Sequence, residues 1–244
     1  TEMKKIIIMP DSFKNTMSSG TVCNVIKNSL LEEDNSLNIE TYELADGGEG
    51  TGIILSKYLG LDIIELVTVN AFNKSITVKC GSNGEIATFD VASIVGFDAN
   101  EGEKLNPSIA STFGIGVIIK KLIEKGHKKI YIGLGGSITN DLGLGMMKAL
   151  GVKFYINNEQ VHPYGYNMGN ITKVSMDDLL ISDVKIICLS DVKSPLFGPT
   201  GAALMFAKQK GATDEMVVKL EEDAKKVVEV IKEVTVECSS ESGS

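Results

Sequence analysis

Four short segments of the chain combine carboxylates, hydroxyls, lysines and glycines, the residue types that bind phosphates, carboxylates and substrate hydroxyls. They are residues 10–14 (PDSFK), 44–51 (LADGGEGT), 133–145 (GLGGSITNDLGLG) and 190–199 (SDVKSPLFGP). Each follows an apolar run that is typical of a buried strand. Ligands of open α/β sheets bind beyond the carboxyl ends of the strands. The pattern favours phosphoryl-transfer chemistry carried by these loops.

The first and the fourth segments each offer an acid and a lysine close together. Ser12 and Lys14 could bind a phosphate or a carboxylate, although an Asp/Ser turn before a helix would have the same composition. Asp191 ends an apolar strand, where a general base or a metal-binding carboxylate is often presented, and Lys193 follows it. A simple turn stabilised by the aspartate at the strand end is the alternative for Asp191.

The second segment is rich in glycine and acid. Gly47 and Gly48 let the backbone approach a ligand closely, and the N-terminus of the helix predicted to follow favours an anion. Asp46 and Glu49 flank this pair of glycines. A turn without function rarely needs two acids there, so we expect a binding or catalytic role.

The third segment gives the strongest signal. Gly135, Gly136 and Ser137 follow a predicted strand and precede a predicted helix, so their backbone N–H groups could form a nest for phosphate oxygens. Asn140 and Asp141 could hold Mg²⁺ or a substrate hydroxyl. The segment matches neither the Walker A pattern nor the spacing of the Rossmann dinucleotide fingerprint. A helix cap with glycines for close packing is the alternative.

Composition limits the partners and the cations available. The chain has 244 residues, a net charge of −8 and no arginine. The negative charge argues against nucleic acid and against a membrane surface as partners. Since no guanidinium is present, an anion must be held by lysine, by backbone N–H groups or by a metal ion.

The cysteines and histidines form no recognisable site. Four scattered cysteines without a C-x-x-C pair are typical of reduced thiols, so we expect a cytoplasmic protein. His127 lies among lysines and His162 precedes a proline, and we expect both side chains to be solvated. The sequence therefore disfavours a zinc site and a Ser-His-Asp triad.

Hydrophobic patterning predicts an α/β fold of two domains. Residues 1–68 read as β-α-β-α, which indicates the start of a Rossmann-like domain with a parallel sheet. Residues 69–244 read as a second, mixed α/β domain, in which Asn83-Gly84 marks a tight hairpin. We expect helices directly after Ser137 and from Gly198-Pro199. The last helix is predicted to run from Thr213 to about Val234.

Together the four loops resemble the type 1 glycerate kinase family, the bacterial glycerate 2-kinases. The family motifs are P-D-S-F-K, L-A-D-G-G-E-G-T, G-L-G-G-S-x-T-N-D, and D-V-x-x-P-L-x-G-P-x-G-A followed by Q-K-G-A. They fall here at residues 10–14, 44–51, 133–141, 191–202 and 209–212, in the family's order. Members of that family continue well past residue 244. The resemblance therefore implies that a further C-terminal segment completes the first domain.

The resemblance implies ATP and D-glycerate as substrates, with transfer to a glycerate hydroxyl, preferably at C2. Asp191 or Asp46 is then expected to deprotonate the hydroxyl, while Asp141 or another acid positions Mg²⁺. The loop at Gly135–Ser137 and the lysines Lys14 and Lys193 are expected to hold phosphate or carboxylate oxygens. A homodimer is one expected assembly.

The chain departs from the family pattern at Leu142, Ser194 and residues 206–211. These departures leave two alternatives open. One is an anion- or nucleotide-binding module without turnover, and the other is a kinase for a different small hydroxy acid or polyol.

Overall fold

The computed structural model of the protein describes residues 5–13, 16–180 and 183–234. The helices are α1 (Ser19–Glu33), α2 (Thr51–Leu59), α3 (Ala92–Val95), α4 (Phe113–Glu124), α5 (Leu144–Ala149), α6 (Ala202–Phe206) and α7 (Asp214–Lys232). The strands are β1 (Lys5–Ile8), β2 (Asn38–Thr41), β3 (Asp62–Val69), β4 (Ser75–Ser82), β5 (Ile86–Asp90), β6 (Lys129–Gly133), β7 (Lys153–Ile156), β8 (Glu159–Val161), β9 (Lys173–Ser175) and β10 (Lys185–Leu189). The α/β fold predicted from the sequence is confirmed.

The first two strands form a small parallel sheet of their own. β1 pairs with β2 from Lys5 opposite Asn38 to Ile8 opposite Thr41. The connecting helix α1 begins after Ser18, whose hydroxyl accepts a hydrogen bond from the Thr21 N–H. Its Cys23 side chain is buried in a small apolar cluster on this sheet.

The central sheet has five strands in the order β10-β6-β5-β4-β3. β10, β6 and β5 are parallel, whereas β4 and β3 join as antiparallel neighbours. The tight turn predicted between β4 and β5 is confirmed: the N–H of Asn83 donates to the carbonyl of Ile86, and Gly84 has φ +86°. The three parallel strands end together, so the loops that follow them meet at one edge.

The main core lies between this sheet and its helices. Phe89, Ile118, Ile119, Leu122 and Ile130 are almost completely buried in one cluster. Helix α2 packs against β5 and β4, and α4 packs against β3 and α5. These contacts fix the position of the start of α2 relative to the edge of the sheet.

A second cluster of buried apolar side chains lies between α7 and the three-stranded antiparallel sheet β8-β7-β9. Helix α7 begins at the Thr213 cap as predicted, since its hydroxyl accepts a hydrogen bond from the Met216 N–H. The short strands β8 and β9 were not predicted. They carry three residues each, which is too few for a periodic pattern to show.

Three predictions from the sequence are wrong in detail. The helix expected directly after Ser137 begins only at Leu144, and the helix expected from Gly198-Pro199 begins at Ala202. His127 is not solvated: it is 2% exposed, its Nε2 lies 2.7 Å from the Ser82 hydroxyl, and its Nδ1 lies 2.8 Å from the Leu122 carbonyl. These two partners keep the ring in the core despite the lysines around it in sequence.

The predicted domain boundary near residue 68 falls inside β3, which pairs with β4 along its whole length. The division into residues 1–68 and 69–244 stays a prediction. Among the described residues, no helix is long and apolar enough to cross a membrane.

Candidate active site

The second and third loops touch each other at the carboxyl edge of the central sheet. The N–H of Gly135 donates a 2.9 Å hydrogen bond to the carbonyl of Gly47. Beside it, the N–H of Leu134 donates to the carbonyl of Leu189, 3.0 Å away at the end of β10. The second and third loops are therefore joined by a main-chain hydrogen bond, and the third also bonds to the last residue of β10, directly before the fourth loop.

Glycine is required where these loops meet. A Cβ on Gly47 would lie 2.6 Å from the carbonyl oxygen of Leu189, and Gly47 has φ +92°. A Cβ on Gly135 would lie 2.8 Å from the Cα of Gly48. Side chains would force the loops apart, so the glycines serve the close approach of two backbones.

Asp90, which was not predicted as a site residue, fixes the start of α2 beside these loops. It ends β5, is 5% exposed, and accepts hydrogen bonds from the N–H groups of Gly50 (3.0 Å) and Gly52 (2.6 Å). Burial raises the pKa of Asp90 to about 6, while these two N–H donors oppose the rise. The sequence offered one signal for a role of Asp90, namely its position at the end of a strand that neighbours β6.

The first loop is linked to the second through Ser19. The Ser19 hydroxyl donates to the carbonyl of Pro10 (2.7 Å) and accepts from the N–H of Leu44 (2.9 Å). Ser12 is partly buried, and its N–H donates to the Asp11 carboxylate. Lys14, a predicted phosphate ligand, lies outside the described residues.

Ser137 has a cationic neighbour that was not predicted. The Lys210 ammonium donates to the carbonyl of Thr139 (2.7 Å) and lies 3.5 Å from the Ser137 hydroxyl. Burial lowers the pKa of Lys210 to about 8, and the nearby Asp141 carboxylate opposes this. Lys210 belongs to the motif at residues 209–212, which carried the resemblance but had no assigned role.

Asp141, predicted to position a metal, is surrounded by donors of this chain. Its Oδ2 accepts from the N–H and the hydroxyl of Thr112, each at 2.8 Å, and from the N–H of Gly145 at 3.2 Å. Its Oδ1 accepts from the N–H of Gly143. Burial raises the pKa of Asp141, and these four hydrogen bonds oppose the rise. The carboxylate thus ties the third loop to the start of α4, and its metal role stays a prediction.

The two candidate bases lie on neighbouring loops. Asp46 precedes the glycine that meets β10, and its Oδ1 accepts a 2.7 Å hydrogen bond from the N–H of Gly48. Asp191 lies two residues beyond Leu189 and is exposed, as is Lys193. The backbone contact between Gly47 and Leu189 therefore brings the two acidic loops together.

A cavity of about 730 Å³ opens next to the third loop. Its polar lining includes Gly135, Gly136, Ser137, Asn140 and Lys210. Most of the remaining lining is apolar, and much of it comes from the second cluster, including Met147, Phe154, Val174, Ala224 and Ile231. A volume of this size, mostly apolar with a few polar groups, is typical of a small-molecule site.

This arrangement brings strand-end glycine loops, a half-buried lysine and two acids on neighbouring turns together at the carboxyl edge of an α/β sheet. The sequence pattern of the glycerate kinase family matches residues 6–244. The chain belongs to the glycerate kinase family.

Individual relatives agree with this assignment. The glycerate kinase of Neisseria meningitidis serogroup B is 35% identical over 87% of this chain and 58% of its own length. The glycerate 2-kinase of Escherichia coli K12 is 33% identical over 93% of this chain and 61% of its own length. The crystal structure of a proposed glycerate kinase 2 from Salmonella typhimurium LT2 superimposes with a TM-score of 0.81 at 28% identity, covering 94% of this chain and 63% of that one. The chain thus spans about three-fifths of the length of the curated relatives it matches.

Proposed function

We propose that the protein phosphorylates D-glycerate with ATP, and that 2-phosphoglycerate is the product. The hydrogen bond between Gly135 and Gly47 carries this proposal. It joins the glycine loop suited to phosphate oxygens to the acidic loop suited to the acceptor hydroxyl. The names of the relatives, which include a glycerate 2-kinase, support the substrate and the position of transfer.

Charge neutralisation is the first requirement of phosphoryl transfer. The backbone N–H groups of Gly136 and Ser137, the Ser137 hydroxyl and the Lys210 ammonium supply it at the third loop. Gly136 has φ +80°, a conformation that glycine adopts without strain. Because the Lys210 ammonium is already held by the Thr139 carbonyl, it needs little reorganisation to meet a phosphate.

Deprotonation of the alcohol is the second requirement. Asp46 or Asp191 accepts the proton of the glycerate hydroxyl as its oxygen bonds to the γ-phosphorus. The bond from that phosphorus to the bridging oxygen of ATP breaks, and ADP leaves. Ser12, Gly48 and Lys193 remain predicted ligands of the phosphate or of the glycerate carboxylate, because their loops join this edge or continue from it. Lys14 stays a predicted ligand outside the described residues.

Mg²⁺ would neutralise phosphate charge when bound. Among the residues that the structure describes, no group of three or more His, Cys, Asp or Glu could hold a metal ion. Protein-bound Mg²⁺ commonly takes only one or two carboxylates together with substrate phosphates and water. Asp46 and Asp191 fit that smaller role better than Asp141, whose two oxygens already accept four hydrogen bonds.

The proposal is tested by measuring ADP release with ATP alone and then with D-glycerate, L-glycerate, lactate or glycerol added. We expect release to depend on D-glycerate. Release with another acid or polyol would favour a kinase of different specificity. ADP binding without any substrate-dependent release would favour a binding module. A cytoplasmic location and a homodimer stay predictions.

A further inference from the structure

One carboxylate oxygen in the cavity has no hydrogen-bond partner. Glu221 lies on α7 and is 7% exposed. Its Oε1 accepts from the N–H of Gly198 (3.0 Å) and pairs with the Lys225 ammonium (3.0 Å). Its Oε2 is buried and has no partner among the described residues. Buried carboxylate oxygens are nearly always paired, so a missing donor is implied at this point.

The surroundings of Glu221 suit a flat apolar group. Glu221, Ala224, Val228 and Ile231 line the cavity at helical spacing on one face of α7. Opposite lining residues come from β7, β9 and α6, namely Phe154, Val174, Ala203 and Phe206. This part of the cavity can bury an aromatic ring while Glu221 accepts a hydrogen bond from it or from a group attached to it.

Charge orients the ligand within the cavity. The Glu221 carboxylate repels phosphates from the apolar part, whereas Lys210 and the backbone of Gly136 and Ser137 attract them. One ligand with an apolar ring, an N–H or O–H donor and a polyanionic tail satisfies both parts. A nucleoside polyphosphate has this composition.

We propose that the cavity binds the nucleotide, with its nucleoside against α7, a nucleoside donor on Glu221 Oε2, and its phosphates at Lys210 and the backbone of Gly136 and Ser137. This inference rests on the proposed function only for the choice of nucleotide. The donor is either the exocyclic amine of adenine or a ribose hydroxyl.

The first test is ADP binding to the purified protein by titration calorimetry, with no acceptor substrate present. Glu221→Gln keeps size and can keep the bond from Gly198, but it replaces the charged acceptor. We expect ADP to bind about 10- to 100-fold more weakly, as for loss of a hydrogen bond to a charged group. The matched control Glu222→Gln, on the exposed face of α7, should bind ADP like the unmodified protein.

Nucleotide analogues separate a direct contact from a structural role. IDP lacks the exocyclic amine, and 2′-deoxy-ADP and 3′-deoxy-ADP each lack one ribose hydroxyl. The unmodified protein should bind at least one of these analogues about tenfold more weakly than ADP, and Glu221→Gln should abolish that difference. If Glu221→Gln lowers affinity for all four nucleotides equally, Glu221 does not contact the nucleoside and the proposal fails.

A second variant covers the case in which Glu221→Gln does not fold. Val228→Phe fills the apolar part and leaves Glu221 intact, so we expect it to weaken ADP binding at least tenfold. Unchanged ADP affinity with a raised melting temperature would show that the space is an unfilled part of the core and would overturn the proposal. ADP binding that depends on Glu221 in a protein inactive on glycerate would contradict the proposed function but not this site.

Discussion

The carbonyl oxygen of Gly47 accepts a 2.9 Å hydrogen bond from the N–H of Gly135, which joins the acidic second loop to the glycine-rich third loop. Neither residue could carry a side chain there without meeting backbone atoms of a neighbouring loop. The contact depends on main-chain geometry, so its effect on activity can be separated from side-chain chemistry.

Gly47→Ala is expected to disrupt this junction. Left-handed backbone costs alanine about 1–2 kcal/mol, and the clash with Leu189 adds about 1–3 kcal/mol. Gly50→Ala is the matched control, because Gly50 also has positive φ but has nothing within 4 Å of its would-be Cβ. The free energy of unfolding, measured with denaturant, and kcat/KM for glycerate should both fall more for Gly47→Ala than for Gly50→Ala. Equal effects of the two variants would show that the close approach is unimportant.

Asp90 should make stability depend on pH. Its pKa is raised from 3.8 to about 6 in the folded protein. Between about pH 4 and pH 6 the Asp90 carboxyl keeps its proton in the folded state but has lost it in the unfolded state. The stability that Asp90 contributes is therefore fully present below about pH 4 and is lost as the pH rises to about 6. The free energy of unfolding, relative to Asp90→Asn, should drop across that window by up to about 3 kcal/mol. If the difference in unfolding free energy between the unmodified protein and Asp90→Asn stays constant from pH 4 to 7, Asp90 is not the titrating group. Asp62→Asn, at an exposed position, serves as the control.

Lys210 should govern phosphate affinity and its pH dependence. Its pKa of about 8 means that the ammonium is mostly charged at pH 7 and mostly neutral at pH 9. ADP affinity should fall over this range, and Lys210→Met should bind about 10- to 100-fold more weakly at pH 7 with little further change. Lys208→Met removes an exposed lysine paired with Asp214 and should have no such effect. If the ADP affinity of Lys210→Met still falls between pH 7 and pH 9, a group other than Lys210 causes the pH dependence.

Asp141→Asn distinguishes a structural role from the predicted metal role. Since the carboxylate accepts four hydrogen bonds while buried, we expect the variant to lose about 2–4 kcal/mol of stability. Thr112→Val removes one of these bonds and should cost less. The measurements are denaturant unfolding and the Mg²⁺ concentration for half-maximal activity. A raised Mg²⁺ requirement with unchanged stability would support the metal role instead.

Asp46→Asn and Asp191→Asn identify the base. Loss of a positioned general base lowers turnover by about 10²- to 10⁴-fold. One of the two variants should show this loss in kcat with ADP affinity retained. If both turn over glycerate normally, neither aspartate takes the proton.

Local signals in the sequence were enough to predict much of the fold. Ser18 and Thr213 cap their helices, Gly60 ends α2, and Asn83-Gly84 forms the turn between β4 and β5, because each acts through its own backbone neighbours. The late start of α5 was missed because the chain first folds over residues 138–143, where Asp141 bonds to the distant Thr112.

The site was only partly predictable for the same reason. The glycine loops can be recognised from their composition. Asp90, Lys210 and Glu221 cannot, because each acquires its role through contacts with elements far away in sequence. Glu221 had one local signal: it follows Leu220 and precedes Ala224 in the apolar stripe of α7, where a charge needs a partner. What that partner is depends on the cavity, which no local pattern shows.

Phosphorus NMR of the products formed from D-glycerate and ATP tests the central claim most directly. We predict that one glycerate phosphate appears for each ADP, with its phosphorus coupled to the single hydrogen on C2, and that it forms more slowly with Gly47→Ala at matched protein concentration. Absence of any phosphorylated glycerate, with ATP intact after prolonged incubation of the folded protein, would contradict the account.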